Sequence, residues 1–441
     1  MPALAPAQSA KDTARAARVK SQTDSIRTYY GGWLKQAPRL GRLVARVDSI
    51  EAASLRGAVV TPPVVTPPPV VTPPPTQPPP VQPPPSTTPP ASTDARILAI
   101  AKIAGPIPPA PSVVAAFGPV YGRYESDFVR YADSHWTIDG AAWEKANYYD
   151  RARIYYVAWA RTGNPVYLDR ANQLALDYRD RYMPSTAPAP YNVPSYEQQT
   201  AGLAIHYLLT GDEKSREAVG YSTEWMMSTV YAKRLTTSSG ENRIRARMLS
   251  GAVYAHLINA PKGGPASKNV VPFSTGTWAE RATAIVDAII AVQDPTGTYK
   301  VDEQCGYAKP FMDGLLNDAL ILYYERVNAD PRIVTAVQKN VDYLWAHTWD
   351  ASAQAFVYLE GPCSADTGSG NRGPAPDLNG MLVNSFAFVA QRTGDASYAA
   401  QAEAILAGSV AKAWLTGTKQ FNQAYATSAA GIARLHGARV P

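Results

Sequence analysis

The sequence predicts an all-α fold built from paired helices, and two observations carry this prediction. A helix that ends in Thr-Gly-Asp or Thr-Gly-Asn, a short turn and a second helix recur at 148–182, 196–231 and 378–408. The first helix of each pair is apolar nearly all round, whereas the second carries its charges on one side. Repeats that cannot bury their apolar faces alone must stack against their neighbours. We therefore expect buried first helices inside a layer of amphipathic second helices.

Three further pairs extend this pattern. The stretch 311–345 has the same layout with Asn-Ala-Asp in its turn, and 243–257 pairs with 277–293 through a longer connection. The helix at 94–104 lacks a predecessor, and the helix at 423–437 lacks a follower. Pairing these two across the chain termini gives twelve helices in six hairpins. A closing pair made from both ends of the chain predicts a ring rather than an open superhelix.

Glycine residues recur inside the first helices of these pairs. Glycine costs about 1 kcal/mol relative to alanine in a helix interior, so each one needs a compensating reason. We expect close backbone approach at these positions, which are Gly202, Gly251, Gly314, Gly380 and Gly431.

A basic segment, 1–58, precedes the helical domain, which we assign to 93–441. Its ten Lys and Arg and four Asp and Glu account for the whole net charge of +6, so the rest of the chain is neutral overall. This balance argues against nucleic acid as a partner of the large domain. Leu40, Leu43 and Val47 have the spacing of a short coiled coil, which favours homo-oligomer formation, although an ordinary amphipathic helix has the same pattern. We expect a helical anchoring segment that docks onto a particle or assembly protein.

Residues 59–92 form a Pro/Thr-rich linker with 16 of the 39 prolines of the chain and no glycine. Proline favours the polyproline II helix, which rises ~3.1 Å per residue, so this linker predicts a stiff spacer. The N-terminus lacks the apolar core of a signal peptide, and no run of 18 apolar residues predicts a membrane span. A spacer without a signal peptide favours an extracellular or virion-surface protein that is exported by another route or carried on a particle.

Cofactor and metal chemistry finds no support in the motifs of the chain. The sequence has no Gly-x-Gly-x-x-Gly, P-loop or His-Glu-x-x-His motif, so we predict no cofactor and no metal site. Its two cysteines, Cys305 and Cys363, leave both a disulfide and a reduced pair open.

The long connections precede the first helices and predict where a binding site lies. They span 183–195, 261–276, 294–310 and 348–377, whereas the Thr-Gly-Asp turns fall at the opposite helix ends. Long loops on a rigid scaffold commonly hold binding residues, and helix N-termini favour anionic groups. Counting back from the turns places four polar residues at equivalent first-turn positions, namely Tyr148, Tyr196, Asp313 and Asn379.

This layout of six hairpins resembles the (α/α)6 toroid domains of carbohydrate-active proteins, which include glycoside hydrolases and polysaccharide lyases. The resemblance covers about 350 residues. The segments KPFMDGLLNDALILYYE and KQFNQAYATS are similar to parts of bacterial exported and phage-encoded toroid proteins. The resemblance implies an (α/α)6 toroid that engages a polysaccharide.

Glycoside hydrolysis requires two carboxyl groups that flank the scissile bond. Four carboxyl groups fall at the predicted face, Glu197, Asp313, Asp150 and Asp377. We expect Glu197 and Asp313 to form the first pair, because they belong to separate hairpins that face the same opening. Acids at a helix start are also favoured by capping, so a structural role stays open for each of them.

Polysaccharide lysis would instead require a cation or an amide beside a uronate, and a Tyr or His that takes the proton. The predicted face offers such groups in Arg243, Arg245, Asn379, Asn422, Tyr148, Tyr196 and Tyr425. His135 and Trp136 are expected in a loop, where Trp136 stacks on a sugar or anchors the loop.

The sequence thus predicts a surface- or virion-displayed glycan-active protein, with hydrolysis by two carboxylates as the first hypothesis. A non-catalytic glycan-binding or structural appendage is the alternative, and a polysaccharide lyase is the second alternative.

Overall fold

A computed structural model describes residues 93–143, 149–186, 191, 193–228, 242–264, 275–299, 307–361 and 373–439. These residues are mostly helical, which confirms the all-α prediction. One antiparallel pair of two-residue strands joins β1 (Trp349–Asp350) to β2 (Ala355–Phe356), with Trp349 opposite Phe356. The predicted anchoring segment and the linker lie outside the described residues.

The longer helices follow the predicted order of pairs. In chain order they are α1 (Thr93–Ala104), α2 (Pro111–Ala115), α3 (Pro119–Asp139), α4 (Arg151–Thr162), α5 (Pro165–Asp177), α6 (Ala201–Thr210), α7 (Glu213–Ser228), α8 (Asn242–Leu257), α9 (Trp278–Ala291), α10 (Pro310–Arg326), α11 (Pro331–Thr348), α12 (Val383–Thr393), α13 (Ala396–Lys412), α14 (Thr418–Tyr425) and α15 (Ser428–His436). A π-helical turn, Tyr178–Tyr182, and a short helix, Met183–Thr186, extend α5. Short 3-10 turns, Ser195–Glu197 and Pro376–Met381, precede α6 and α12.

The Thr-Gly-Asp turn joins two helices because each of its residues satisfies backbone groups that a helix end leaves open. Between α12 and α13, Gly394 adopts φ 73°, the left-handed conformation that glycine tolerates best. The hydroxyl of Thr393 accepts a hydrogen bond from the Asp395 backbone N–H. The Asp395 carboxylate in turn caps α13 by accepting a hydrogen bond from Ser397 N–H at 2.8 Å. The turns at Gly163 and Gly211 share this arrangement.

The first helices of the pairs contact one another in series. Helix α4 contacts α6, α6 contacts α8, α8 contacts α10, α10 contacts α12, and α12 contacts α15. Helix α14 returns to contact α4. Each second helix packs against its own first helix, as α5 does on α4 and α13 does on α12.

Crowding between first helices explains two of the glycines. A Cβ atom on Gly314 would lie 2.6 Å from the Met381 carbonyl oxygen, and one on Gly202 would lie 2.6 Å from the Ala152 Cβ. Both distances are far below van der Waals contact, so neither position accepts a side chain without a shift of its neighbour.

The sixth pair differs from the expected one. The 94–104 helix, α1, contacts α4, α6 and α8, and the helix that packs near the C-terminus is α3. Tyr124 on α3 lies 2.8 Å from the Ser428 hydroxyl. The expected single helix at 423–437 is divided between α14 and α15. Helix α3 was missed as a partner because its sequence lacks the Thr-Gly-Asp signal that marked the other pairs.

Helix α1 lies across the C-terminal ends of the first helices. Lys102 donates a hydrogen bond to the Leu257 carbonyl oxygen at the end of α8. Arg326, at the end of α10, donates to the carbonyl oxygens of Ala101 and Lys102. These contacts satisfy carbonyl groups that helix C-termini leave open, which explains why α1 occupies this place.

Candidate functional site

Four charged residues from distant parts of the chain lie where the first helices begin and influence one another electrostatically in series, from Glu197 to Arg243, Lys419 and Asp377. Glu197 ends the 3-10 turn before α6, and Arg243 lies in the first turn of α8. Asp377 lies in the 3-10 turn before α12, and Lys419 lies in the first turn of α14. We call these four residues the charged cluster.

Glu197 is the most buried acid of the cluster, with 8% of its surface exposed. The Tyr182 hydroxyl donates a hydrogen bond to its Oε2 atom. Burial raises the pKa of Glu197, while the Tyr182 hydrogen bond and the charge of Arg243 lower it. The guanidinium of Arg243 also lies over the Tyr196 ring, 5.6 Å from its centroid. Glu197 therefore combines a desolvated carboxyl with a cation and a hydroxyl donor.

Asp377 is half-buried, and its electrostatic neighbour is Lys419. Burial raises the pKa of Asp377, and the charge of Lys419 opposes this rise. Desolvation lowers the pKa of Lys419, Arg243 lowers it further, and Asp377 raises it. Lys419 thus links the half of the cluster around Asp377 to the half around Arg243 and Glu197.

Tyr149 lies beside the charged cluster. It is 2% exposed and forms a side-chain hydrogen bond with Gln423. Burial raises its pKa, Arg243 lowers it, and Asp377 has a smaller raising effect. Neither Tyr149 nor Lys419 was selected as a site residue from the sequence. Their only signal was a place in the first turn of a first helix, which they share with many structural residues.

Asp313 lies in a separate network with none of its surface exposed. Asn242 donates a 2.6 Å hydrogen bond to its Oδ1 atom, and Asn340 donates a 3.1 Å hydrogen bond to its Oδ2 atom. Burial raises the pKa of Asp313 to about 7, and Arg245 opposes this effect. Arg245 is itself buried, which lowers its pKa to about 10.

The expected pair of Glu197 and Asp313 is thus divided between two networks. Arg243 belongs to the first and Arg245 to the second. Arg243 and Arg245 are two residues apart on α8. At 3.6 residues per turn their side chains leave the helix about 200° apart, so they point to different sides of it.

Asp150 caps two helices at once. Its Oδ1 atom accepts a hydrogen bond from Arg153 N–H at 3.0 Å, and its Oδ2 atom accepts one from Gly202 N–H at 2.8 Å. The amide of Asn379 is similarly occupied, because it accepts from Phe356 N–H and donates to the Gln354 carbonyl oxygen. The structural role that the sequence left open for Asp150 is thus realised, and Asn379, expected at the binding face, holds backbone groups of the 354–356 segment.

Tyr425 and Asn422 are buried on α14. The Tyr425 hydroxyl donates a hydrogen bond to the Tyr124 carbonyl oxygen, and its ring packs against Phe128. Tyr425 thus joins α14 to α3. Tyr148 lies outside the described residues, as do Cys305 and Cys363.

His135 and Trp136 lie in helix α3, so their assignment to a loop is wrong. Between Arg123 and Gly140, where α3 ends, the chain has no glycine or proline to break the helix. His135 is buried, with Nε2 2.8 Å from the Leu415 carbonyl oxygen. The Trp136 ring packs edge-on against Tyr155 and lies beneath the Arg170 guanidinium at 5.2 Å. Both side chains fix helices and loops to one another.

Comparison with known proteins gives no assignment for this arrangement. No family model, no curated protein and no solved structure matches the chain. Within the described residues, no group of three or more His, Cys, Asp or Glu side chains is placed to hold a metal ion. None of the helices in the described part of the chain is long and apolar enough to cross a membrane.

Proposed function

We propose that the six helical pairs close into an (α/α)6 toroid. The support is the series of contacts between first helices, in which α14 at the end of the series contacts α4 at its start. Helix α3 serves as the outer member of the sixth pair, between α13 and α14. The N-terminal ends of the first helices then surround one shared opening.

In this proposal the opening binds a polysaccharide, and the protein cleaves it by glycoside hydrolysis. The observation that supports the proposal most directly is the charged cluster, in which Glu197 and Asp377 come from segments about 180 residues apart. Two carboxyl groups in different electrostatic environments suit the separate roles of acid and base or nucleophile. We assign the acid role to Glu197, which is the more buried, and the role of base or nucleophile to Asp377, whose pKa is lowered by the charge of Lys419 against the effect of burial.

Asp377 is preferred to Asp313 as the second carboxyl because the base or nucleophile must reach the substrate or its attacking water. Asp377 is half-buried, whereas Asp313 has no exposed surface and both of its oxygens accept hydrogen bonds from buried amides. Asp313 instead serves the packing of α8, α10 and α11.

The remainder of the proposal rests on composition. The basic segment 1–58 docks the protein to a particle or assembly, and the proline-rich linker 59–92 projects the helical domain outward. Extracellular or virion-surface display follows from this plan.

The test is incubation of the full chain with a panel of capsular and cell-wall glycans. New reducing ends without the ultraviolet absorbance of an unsaturated uronate indicate hydrolysis, and both signals together indicate a lyase. Binding without cleavage supports a non-catalytic appendage. Glu197→Gln and Asp377→Asn are each expected to lower hydrolysis at least about 100-fold, as loss of a positioned acid or base does. Asp169→Asn, at an exposed position on α5, is the matched control. Hydrolysis that survives both substitutions contradicts the assignment.

A further inference from the structure

A small cavity lies next to the charged cluster, between the beginnings of α4 and α6. It has a volume of about 40 Å³. Among the side chains that line it are Tyr149, Gln198 and Arg247. Gln198 directly follows Glu197 in the chain, and Tyr149 is influenced by Arg243 and Asp377. The cavity therefore adjoins the proposed site.

Gln198 is an unusual lining residue because it is buried without hydrogen bonds. Its surface is 1% exposed, and neither its amide oxygen nor its amide nitrogen has a partner among the described residues. A buried amide without partners costs about 1–3 kcal/mol, so such groups are normally satisfied by water or by a ligand. The Gln198 amide nitrogen needs an acceptor and its amide oxygen needs a donor, and a hydroxyl group can serve as both.

The charged side chains that line the cavity are Arg153, Arg247 and Asp150. Both carboxylate oxygens of Asp150 accept backbone hydrogen bonds, and Arg153 donates one to the Ala104 carbonyl oxygen. A carboxylate could accept a hydrogen bond from the Gln198 amide nitrogen but could not donate one to the amide oxygen, which would stay unpaired. A neutral group therefore fits better than a carboxylate.

The volume limits the group to a small one. One water molecule needs roughly 10–15 Å³ measured in this way, so the cavity holds about three waters or one hydroxymethyl group. We propose that this cavity receives the hydroxymethyl group of a neutral hexose unit and that Gln198 is the residue that reads it. The inference rests on the proposed glycan binding for the approach of the sugar, and it names neutral hexoses rather than uronates or pentoses as the sugar class.

The test compares sugars that differ only at this substituent. Three hexose and pentose pairs cover the common stereochemistries, namely D-glucose with D-xylose, D-galactose with L-arabinose, and D-mannose with D-lyxose, and D-glucuronate tests the charged group. Binding of each sugar to the full chain is measured by saturation-transfer NMR at millimolar sugar concentration. At least one hexose is expected to bind about tenfold more tightly than its pentose and than glucuronate, with the strongest saturation on its C6 protons.

Gln198→Met, which keeps the size of the side chain but removes both amide groups, should lower the hexose affinity to that of the pentose and leave the pentose unchanged. Gln338→Met on α11 is the matched control, because Gln338 hydrogen-bonds with Tyr398 and does not line the cavity. Equal binding of each hexose and its pentose overturns the inference whether or not the variant folds. A Gln198→Met protein that keeps the preference overturns it as well.

The two proposals fail separately. Cleavage of a panel glycan without any hexose preference would leave the proposed function standing and would mean that the cavity holds water only. A hexose preference that depends on Gln198, with no glycan cleaved or retained, would support the cavity and contradict the glycan-active function.

Discussion

The side-chain amide of Asn242 donates a 2.6 Å hydrogen bond to the Asp313 carboxyl, which is wholly buried. This contact joins the first turns of α8 and α10. An acid in this setting is more easily protonated than in the unfolded chain, because burial raises its pKa from 3.8 to about 7.

Asp313 should therefore make stability fall as the pH rises. Between about pH 4 and pH 7 the folded state holds a proton that the unfolded state has released, so the free energy of unfolding decreases across this range. The effect is on the order of a few kcal/mol. Thermal unfolding of Asp313→Asn should show a flatter pH dependence than that of the wild-type protein, even where its absolute stability is lower. Parallel curves would contradict the assignment.

Gly394→Ala tests the turn between α12 and α13. No atom lies within 4 Å of a Cβ at this position, so the cost comes only from the backbone at φ 73°. Alanine in the left-handed region costs about 1–2 kcal/mol. A corresponding fall in the free energy of unfolding, measured with denaturant, is expected.

Gly314→Ala tests crowding between α10 and the turn before α12. Helix propensity alone would favour alanine by about 1 kcal/mol. The new Cβ would meet the Met381 carbonyl oxygen at 2.6 Å, so we expect destabilisation instead, typically 1–3 kcal/mol. Denaturant unfolding gives the sign directly, and a stabilised variant would show that the helices separate easily.

Asp150→Ala should destabilise the protein by removing a cap that serves two helices. The change leaves two backbone N–H groups, at Arg153 and Gly202, without their acceptor. Loss of an N-cap costs about 0.5–2 kcal/mol, and the second lost contact adds to it. Asp150→Asn keeps one acceptor oxygen, so its free energy of unfolding should lie between those of the wild-type protein and Asp150→Ala. If glycan cleavage is found, Asp150→Asn should retain most of it, and its complete loss would make Asp150 a site residue.

Arg243→Met and Lys419→Met test the electrostatics of the charged cluster once cleavage is measured. Each cation lowers the pKa of its acid neighbour, so its removal raises that pKa. Arg243→Met should move the alkaline limb of the pH–rate profile to higher pH, because Glu197 would hold its proton longer. Lys419→Met should move the acidic limb to higher pH, because Asp377 would ionise later. Shifts of about one pH unit are expected for neighbouring charges. If neither limb of the pH–rate profile shifts, groups other than Glu197 and Asp377 determine the pH dependence of cleavage.

The sequence predicts the helical pairs well because their signals are local. Thr393, Gly394 and Asp395 specify a helix end, a left-handed residue and a new cap within three positions. The place of α3 beside α14 was not predictable in this way. It depends on contacts such as that between Tyr124 and Ser428, which are 304 residues apart and have no repeated spacing.

The candidate site could likewise be predicted only in part from the sequence. The rule that site residues fall in the first turns of the first helices led to Glu197, Arg243 and Asp377, and the structure places these three in one cluster. The rule could not tell Asp377 from Asp150 or Asp313, because all three precede or begin a helix. Only their burial and hydrogen-bond partners in the structure distinguish the half-buried Asp377 from Asp150, which caps two helices, and from Asp313, which is enclosed by amides.

The pairing of α3 with α14 and α15 has a consequence for synthesis. Because α3 contacts helices about 300 positions later in the chain, a nascent chain cannot form these contacts until α14 and α15 have left the ribosome. A product that stops before residue 418 would leave the apolar sides of α4 and α12 bare, which favours aggregation.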